Sequence, residues 1–262
     1  MNAAASGTVY LVGAGPGDPE LLTLRAHRLL GSAAAVFHDD LVPLSILDLC
    51  RPGARIFSVG KRCGMKAITQ EQINEMLIGA ARSGHAVVRL KSGDPLLCGR
   101  ASEELTALER AEIPCEVVPG VSAVFAAAAD LRAPLTDRSS ASKLIILTWH
   151  RTETKCGEPL WHGELPVDAT LAVYMPGSDY QSPAEALLDS GLSANTPCWV
   201  VSRAGTPQCR SLRTTVSGLR DEQALPAPAI LLIGRALERG ETLLCHHDAR
   251  AADFSTRTAH CL

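Results

Sequence analysis

The chain has 262 residues, 46% of them hydrophobic and 20% charged, enough apolar material for one large or two modest cores and too much for wholesale disorder. A formal net charge of −3 gives no general pull toward phosphate backbones, and 4% aromatics are too few for a stacking platform along a nucleic-acid groove. No run approaches the ~18–20 uncharged apolar residues of a membrane span, so neither nucleic acid nor membrane is expected as a partner.

Thr8–Val12 reads as a strand, followed by a glycine turn and a helix from Pro19 to Leu30. Asp18 suits its N-cap, Pro19 its first position, and Leu21, Leu22, Ala26, Leu29 and Leu30 recur at helical spacing. Strands are expected at Ala34–Phe37, Arg55–Val59, Ala86–Leu90 and Cys115–Val118, separated by helical patterns at Leu44–Cys50, Thr69–Arg82 and Ala101–Ala111. That alternation implies parallel β–α–β crossovers with helices on both faces of a sheet. Pro119-Gly120 is the expected boundary, giving an N-terminal α/β domain over 8–118 and a C-terminal one over 121–238, with a flexible tail over 239–262.

The second half opens on an alanine-rich helix, Val121–Leu131. Strands follow at Lys143–Thr148, Thr170–Tyr174, Cys198–Ser202, Arg210–Ser217 and Ala229–Ile233, with a helix near Ala184–Asp189 and a surface loop at Thr152–Pro166. The last two strands leave little room for a helix between them, so part of this sheet is expected to be antiparallel. The nine cysteines are scattered and form no Cys-x-x-Cys pair, which points to neither a metal site nor a disulfide framework. With no basic and apolar leader at Met1–Gly7, a cytoplasmic location is expected.

Two glycine turns stand where strands end, the place at which open parallel sheets bind ligands. The first, Gly13-Ala14-Gly15-Pro16-Gly17-Asp18, resembles a dinucleotide fingerprint, but glycine is missing at position 18 and an acidic residue occupies the phosphate position. The second, Lys91-Ser92-Gly93-Asp94-Pro95, places a carboxylate where a cationic or hydroxylated ligand can reach it, or else is an Asp-Pro turn that merely ends a strand.

In order and spacing, a series of segments resembles the tetrapyrrole (corrin/porphyrin) methylase family over residues 8–238. The segments are V-Y-L-V-G-A-G-P-G-D-P-E-L-L-T-L (9–24), D-D-L-V (39–42), V-G-K-R (59–62), R-L-K-S-G-D-P (89–95) and G-R-A-S-E-E (99–104). V-V-P-G-V-S-A (117–123), P-L-T-D-R (134–138), Y-M-P (174–176) and A-P-A-I-L-L-I-G-R (227–235) continue them. The resemblance implies the two-domain class III methyltransferase fold, a parallel N-terminal sheet and a mixed C-terminal sheet. It also implies S-adenosyl-L-methionine (SAM) held between the domains, S-adenosyl-L-homocysteine as product, and a homodimer. The implied reaction converts uroporphyrinogen III to precorrin-2 by two successive C-methylations.

By resemblance, SAM contacts fall on Pro16, Ser92, Gly93, Asp94, Leu97, Ser122, Ala123, Met175 and Gly205. Met175 can equally be ordinary strand core. The acceptor, a tetrapyrrole rimmed with carboxylates, implies cations in the cleft: Lys61, Arg62, Arg100 and Arg138, with Glu103 orienting Arg100 from one helical turn along. Asp39 matches the family's proton acceptor and Lys61 the donor; Arg100 has a competing claim as base, although an ordinary guanidinium stays protonated and suits anchoring better. Ser92, Asp40, Asp137 and Pro176 depart from the family pattern. A later corrin-ring methylase, an NAD-binding oxidoreductase and a catalytically lapsed SAM-binding protein are the alternative readings.

Overall fold

The computed structural model describes residues 4–60, 68–149 and 160–241, which form two compact units meeting in sequence between Ala126 and Ala127. Of the expected 239–262 tail, 239–241 are described, with the Glu241 N–H donating to the Leu131 carbonyl at 2.9 Å; residues 242–262, Lys61, Arg62 and much of the Thr152–Pro166 loop lie outside the described residues.

The first unit is built on five parallel strands: β1 (Val9–Gly13), β2 (Ala35–His38), β3 (Arg55–Ser58), β4 (Val87–Lys91) and β5 (Cys115–Val118), in the order β3-β2-β4-β1-β5. Because side chains alternate along a strand, each strand feeds two cores. Tyr10, Val12, Val36, Val88 and Leu90 pack with Ala26, Leu29 and Leu30 of α1 (Leu24–Leu30) and Ile46 and Leu47 of α2 (Leu44–Leu47). Val9, Leu11, Ala35, Phe37 and Val87 face the other way, onto Ile73, Leu77 and Ala81 of α3 (Gln70–Arg82) and Ala101 and Leu108 of α4 (Ala101–Arg110). Covering both faces is what a parallel sheet requires, and each fully buried leucine contributes roughly 1.5–3 kcal/mol.

The continuous helix expected over Pro19–Leu30 is two pieces. Asp18 caps a single 3-10 turn, Pro19–Leu21, by accepting from the Glu20 N–H. Leu22 and Thr23 are then extended (ψ 142° and 147°), and the Thr23 side chain caps α1 by accepting from the Ala26 N–H at 3.1 Å. The apolar periodicity ran on through the break because Leu21 and Leu22 fit a helical pattern; the threonine is the second start signal.

The helix α5 (Ala123–Asp130) runs across the boundary. The second unit holds β6 (Lys143–Thr148), β7 (Ala169–Tyr174), β8 (Pro197–Ser202), β9 (Arg210–Thr215) and β10 (Ala229–Ile233), in the order β6-β7-β10-β8-β9. Only β6 and β7 are parallel; the β7–β10, β10–β8 and β8–β9 pairs are antiparallel, the mixed sheet expected. Leu171, Val173, Cys198, Val200, Leu231 and Ile233 pack on Ala184 and Leu187 of α6 (Gln181–Asp189). Burial pushes the fully enclosed Cys198 thiol well up, consistent with a small core residue.

Thr23→Ala should destabilise the first unit by about 1 kcal/mol and Thr23→Ser by much less, read from urea midpoints at unchanged m-value. Equal stability of the alanine variant would show that the cap contributes nothing.

Candidate functional site

The carboxyl ends of β1, β4 and β5 converge on three glycines. A Cβ built on Gly13 would lie 2.6 Å from the Gly120 Cα and 2.7 Å from the Gly93 carbonyl oxygen; one on Gly120 would lie 2.2 Å from the same oxygen. Only hydrogen atoms fit there, so the backbones of three loops come together with no side chain between them. Gly15 and Gly93 form a two-way bridge, with N–H to O distances of 3.2 and 2.7 Å, and both take left-handed φ values of +70° and +65°. Pro16 stands partly exposed at the bend beside this bridge.

Asp94 ties the junction together. One carboxylate oxygen accepts from the Gly120 N–H at 3.1 Å, the other from the Leu96 N–H at 2.9 Å, and its carbonyl accepts from the Leu97 N–H at 3.2 Å. The group read from sequence as a ligand acceptor therefore also fastens the β4 loop to the β5 loop. Ser122 is buried, its carbonyl accepting from the Phe125 N–H at the start of α5, and among the described residues beyond the adjoining ones its Cα is the nearest atom to a Cβ on Gly93, at 4.0 Å. Gly93 thus presents an open backbone face bordered by Ser92 and Ser122, with Ala123 following.

Asp39 follows the end of β2 on the face of Ala35 and Phe37, 27% of its side chain exposed. It meets Arg89 at hydrogen-bonding distance, and Arg89 reaches inward to Glu104 of α4, Nε to Oε1 at 2.9 Å. Lys91 reaches the other oxygen of Glu104 at 2.9 Å and also donates to the Gly99 carbonyl. Gln70 of α3 donates to Glu104 Oε1 at 3.3 Å. Arg89, Lys91 and Glu104 are all buried, Glu104 completely. Burial works to lower the Arg89 pKa, but the Asp39 and Glu104 charges and their hydrogen bonds outweigh it and leave it above the ordinary value. For Lys91, burial and the neighbouring Arg89 charge win, and its pKa is lowered. Nearby, the Cys115 thiol is pushed up to about 11, by burial first and then by the Glu104 charge.

Arg100 precedes α4 in a left-handed conformation (φ +54°), and Glu103 grips its guanidinium through Nε and Nη2, both at 2.6 Å. The pair is about half exposed, so it orients the arginine rather than stabilising the fold. The Glu103 hydrogen bonds are the largest cause raising the Arg100 pKa, which keeps it a fixed cation.

The remaining sequence-derived positions belong to the second unit. Met175 closes β7 with φ +53° and is 42% exposed, unlike a strand-core methionine. Gly205 (φ +68°) donates its N–H to Asp130 at 2.7 Å, and Arg138 is exposed. Among the described residues, no group of three His, Cys, Asp or Glu side chains could hold a metal ion, and no helix is long and apolar enough to cross a membrane.

Sequence reading missed Arg89, Lys91, Glu104 and Gln70. A signal existed: two cations at i and i+2 inside a strand flanked by other strands must be buried, and buried cations need carboxylates.

A sequence model of the Tetrapyrrole (Corrin/Porphyrin) Methylases matches residues 8–220. The chain is 41% identical over 241 residues to a uroporphyrinogen-III C-methyltransferase of Paracoccus denitrificans, covering 91% of this chain and 84% of that protein. It is 42% identical to siroheme synthase 1 of Halorhodospira halophila over 90% of this chain, but spans only 49% of that longer protein. The crystal structure of a uroporphyrin-III C-methyltransferase from Thermus thermophilus complexed with S-adenyl homocysteine superposes with a TM-score of 0.71 at 34% identity, covering 88% of this chain and 93% of that one.

Asp94→Ala leaves the Gly120 and Leu96 N–H groups without their acceptor and should cost about 1–3 kcal/mol in urea unfolding. Asp94→Asn, which keeps one acceptor oxygen, should lose less; an alanine variant as stable as the parent would contradict the fastening role.

Proposed function

The chain belongs to the tetrapyrrole (corrin/porphyrin) methylase family, and from that premise we propose that it methylates uroporphyrinogen III twice, using SAM, to give precorrin-2. The observation that carries this is the glycine junction within a chain 41% identical to a uroporphyrinogen-III C-methyltransferase along most of both lengths. The open backbone face at Gly93 fits a ligand that must lie close against main chain, where a Cβ would fill its place. Bound there, SAM supplies an electrophilic methyl group for in-line displacement by a carbon nucleophile.

The residues then have positioning and proton-handling to do. Pro16, Ser92, Gly93, Asp94, Leu97, Ser122 and Ala123 hold the cofactor on the first unit, and Met175 and Gly205 are contact positions by the family likeness alone. Arg100, oriented by Glu103, with Arg62 and Arg138, binds the carboxylates of the tetrapyrrole. Asp39, partly exposed and held from behind by Arg89, takes the proton that the macrocycle must lose, from another of its positions, when a carbon gains the methyl group, and by the family likeness Lys61 is the proton donor. A homodimer in the cytoplasm completes the proposal, on the strength of the family likeness.

Titration of the purified chain should give saturable binding of SAM and of S-adenosyl-L-homocysteine and none of NAD. Turnover with uroporphyrinogen III should add two methyl groups. Asp39→Asn should keep SAM affinity, because the amide oxygen still accepts from Arg89, and should lose turnover, because an amide takes no proton near neutral pH. Wild-type turnover in that variant would remove Asp39 as the base. Arg100→Lys should weaken tetrapyrrole binding by roughly tenfold or more at unchanged SAM affinity, since an ammonium offers no planar fork to a carboxylate. Sedimentation equilibrium at micromolar concentration should give a dimer.

A further inference from the structure

Glu104 is completely buried on α4, where a carboxylate is costly unless cationic partners offset its desolvation. It accepts from Arg89 at one oxygen and from Lys91 at the other, with Gln70 completing the first. The two cations then carry the connection outward in different directions. Arg89 is held by Glu104, by the Phe37 and Leu90 carbonyls at 3.4 and 3.2 Å, and by Asp39. Lys91 passes under Gly99, whose added Cβ would lie 2.9 Å from the lysine Cε, and donates to the Gly99 carbonyl, one residue before Arg100. Two carboxylates and two cations balance, so the unit is self-contained in charge.

We infer that Glu104 is a positioning residue for methyl transfer: through Arg89 it fixes the Asp39 carboxylate, and through Lys91 it fixes the turn that presents Arg100. The inference rests on the reading of function above. A single buried carboxylate would thereby set the spacing between the group that handles the proton and the group that anchors the acceptor. Glu103, the preceding residue, does a different task, holding the Arg100 side chain at the surface, while Glu104 reaches only the Gly99 carbonyl before it, through Lys91.

The test is Glu104→Gln in the full chain, read by SAM titration, steady-state turnover of uroporphyrinogen III and hydrogen exchange. A glutamine has one acceptor oxygen, so only one of the two cations keeps its partner. SAM affinity should stay within about threefold, because Asp94 and the glycine junction are untouched. The kcat should fall roughly 10²-fold, the scale of a misplaced catalytic group, with a smaller change in KM. The Asp39 amide, bonded to the Leu90 carbonyl, and the Glu103 amide, bonded to the Arg100 carbonyl, should exchange about tenfold faster, while β1 amides keep their protection.

Arg89→Lys keeps the charge but loses the fork between Glu104 and Asp39, and should reproduce the kcat loss and the faster exchange at Asp39 while leaving the Glu103 amide unchanged. If Glu104→Gln does not fold, this variant decides. Unchanged kcat and exchange in a folded variant overturn the inference, as does a loss that follows SAM affinity. If the unmodified chain binds SAM but does not methylate uroporphyrinogen III, the functional reading fails, and exchange at the Asp39 and Glu103 amides still decides the positioning claim.

Discussion

The central strand β4 ends in Arg-Leu-Lys and is buried along its whole length, so two cations must be neutralised inside the first unit. An isolated buried ion costs several kcal/mol even after relaxation, far more than one apolar contact returns. Glu104 answers that demand from α4 and Asp39 from the end of β2, and this fixes where both lie relative to β4. The position of α4 is thus set by charge as well as by Ala101 and Leu108 packing on the sheet. Arg100 and Glu103 stand at the start of that helix, so the surface chemistry inherits its geometry from the buried pairs.

A second constraint acts at the same edge of the sheet. Gly13, Gly93 and Gly120 let three loops approach until their backbones touch, and Asp94 locks two of those loops by accepting from both. Gly93, half-buried there, leaves main chain with no side chain over it, which suits a ligand lying close against the backbone. In the proposed function the cofactor and acceptor sides of the reaction rest on different supports: the glycine junction for one, the buried charges for the other. Variants that touch one support should leave the other largely intact.

Much of this was legible in the residues. Alternating apolar runs and helical patterns placed the strands of both sheets, because burial on two faces leaves a direct trace in composition. The glycine turns after β1 and β4 were visible as ligand-binding candidates, whereas Gly120 read only as a domain boundary. The break at Leu22–Thr23 was not, since two leucines preserved the helical period through it. Nor was the charge cluster: Arg89 meets Asp39 across 50 positions and Glu104 across 15, separations that only strand order and helix placement resolve. Asp94 was read from its turn as facing a ligand, and its bond to Gly120, 26 positions on, depends on β5 lying beside β1.

The central claim is that the buried charges act as one unit. A double-mutant cycle of Glu104→Gln and Lys91→Met, by urea unfolding at neutral pH, tests it most directly. Removing the carboxylate alone leaves an excess buried cation, and removing Lys91 as well restores the balance. The double variant should therefore be more stable than the sum of the single losses predicts, by about 0.5–3 kcal/mol. Additivity within about 0.3–0.5 kcal/mol would contradict the account, because it would mean that Glu104 and Lys91 do not feel each other.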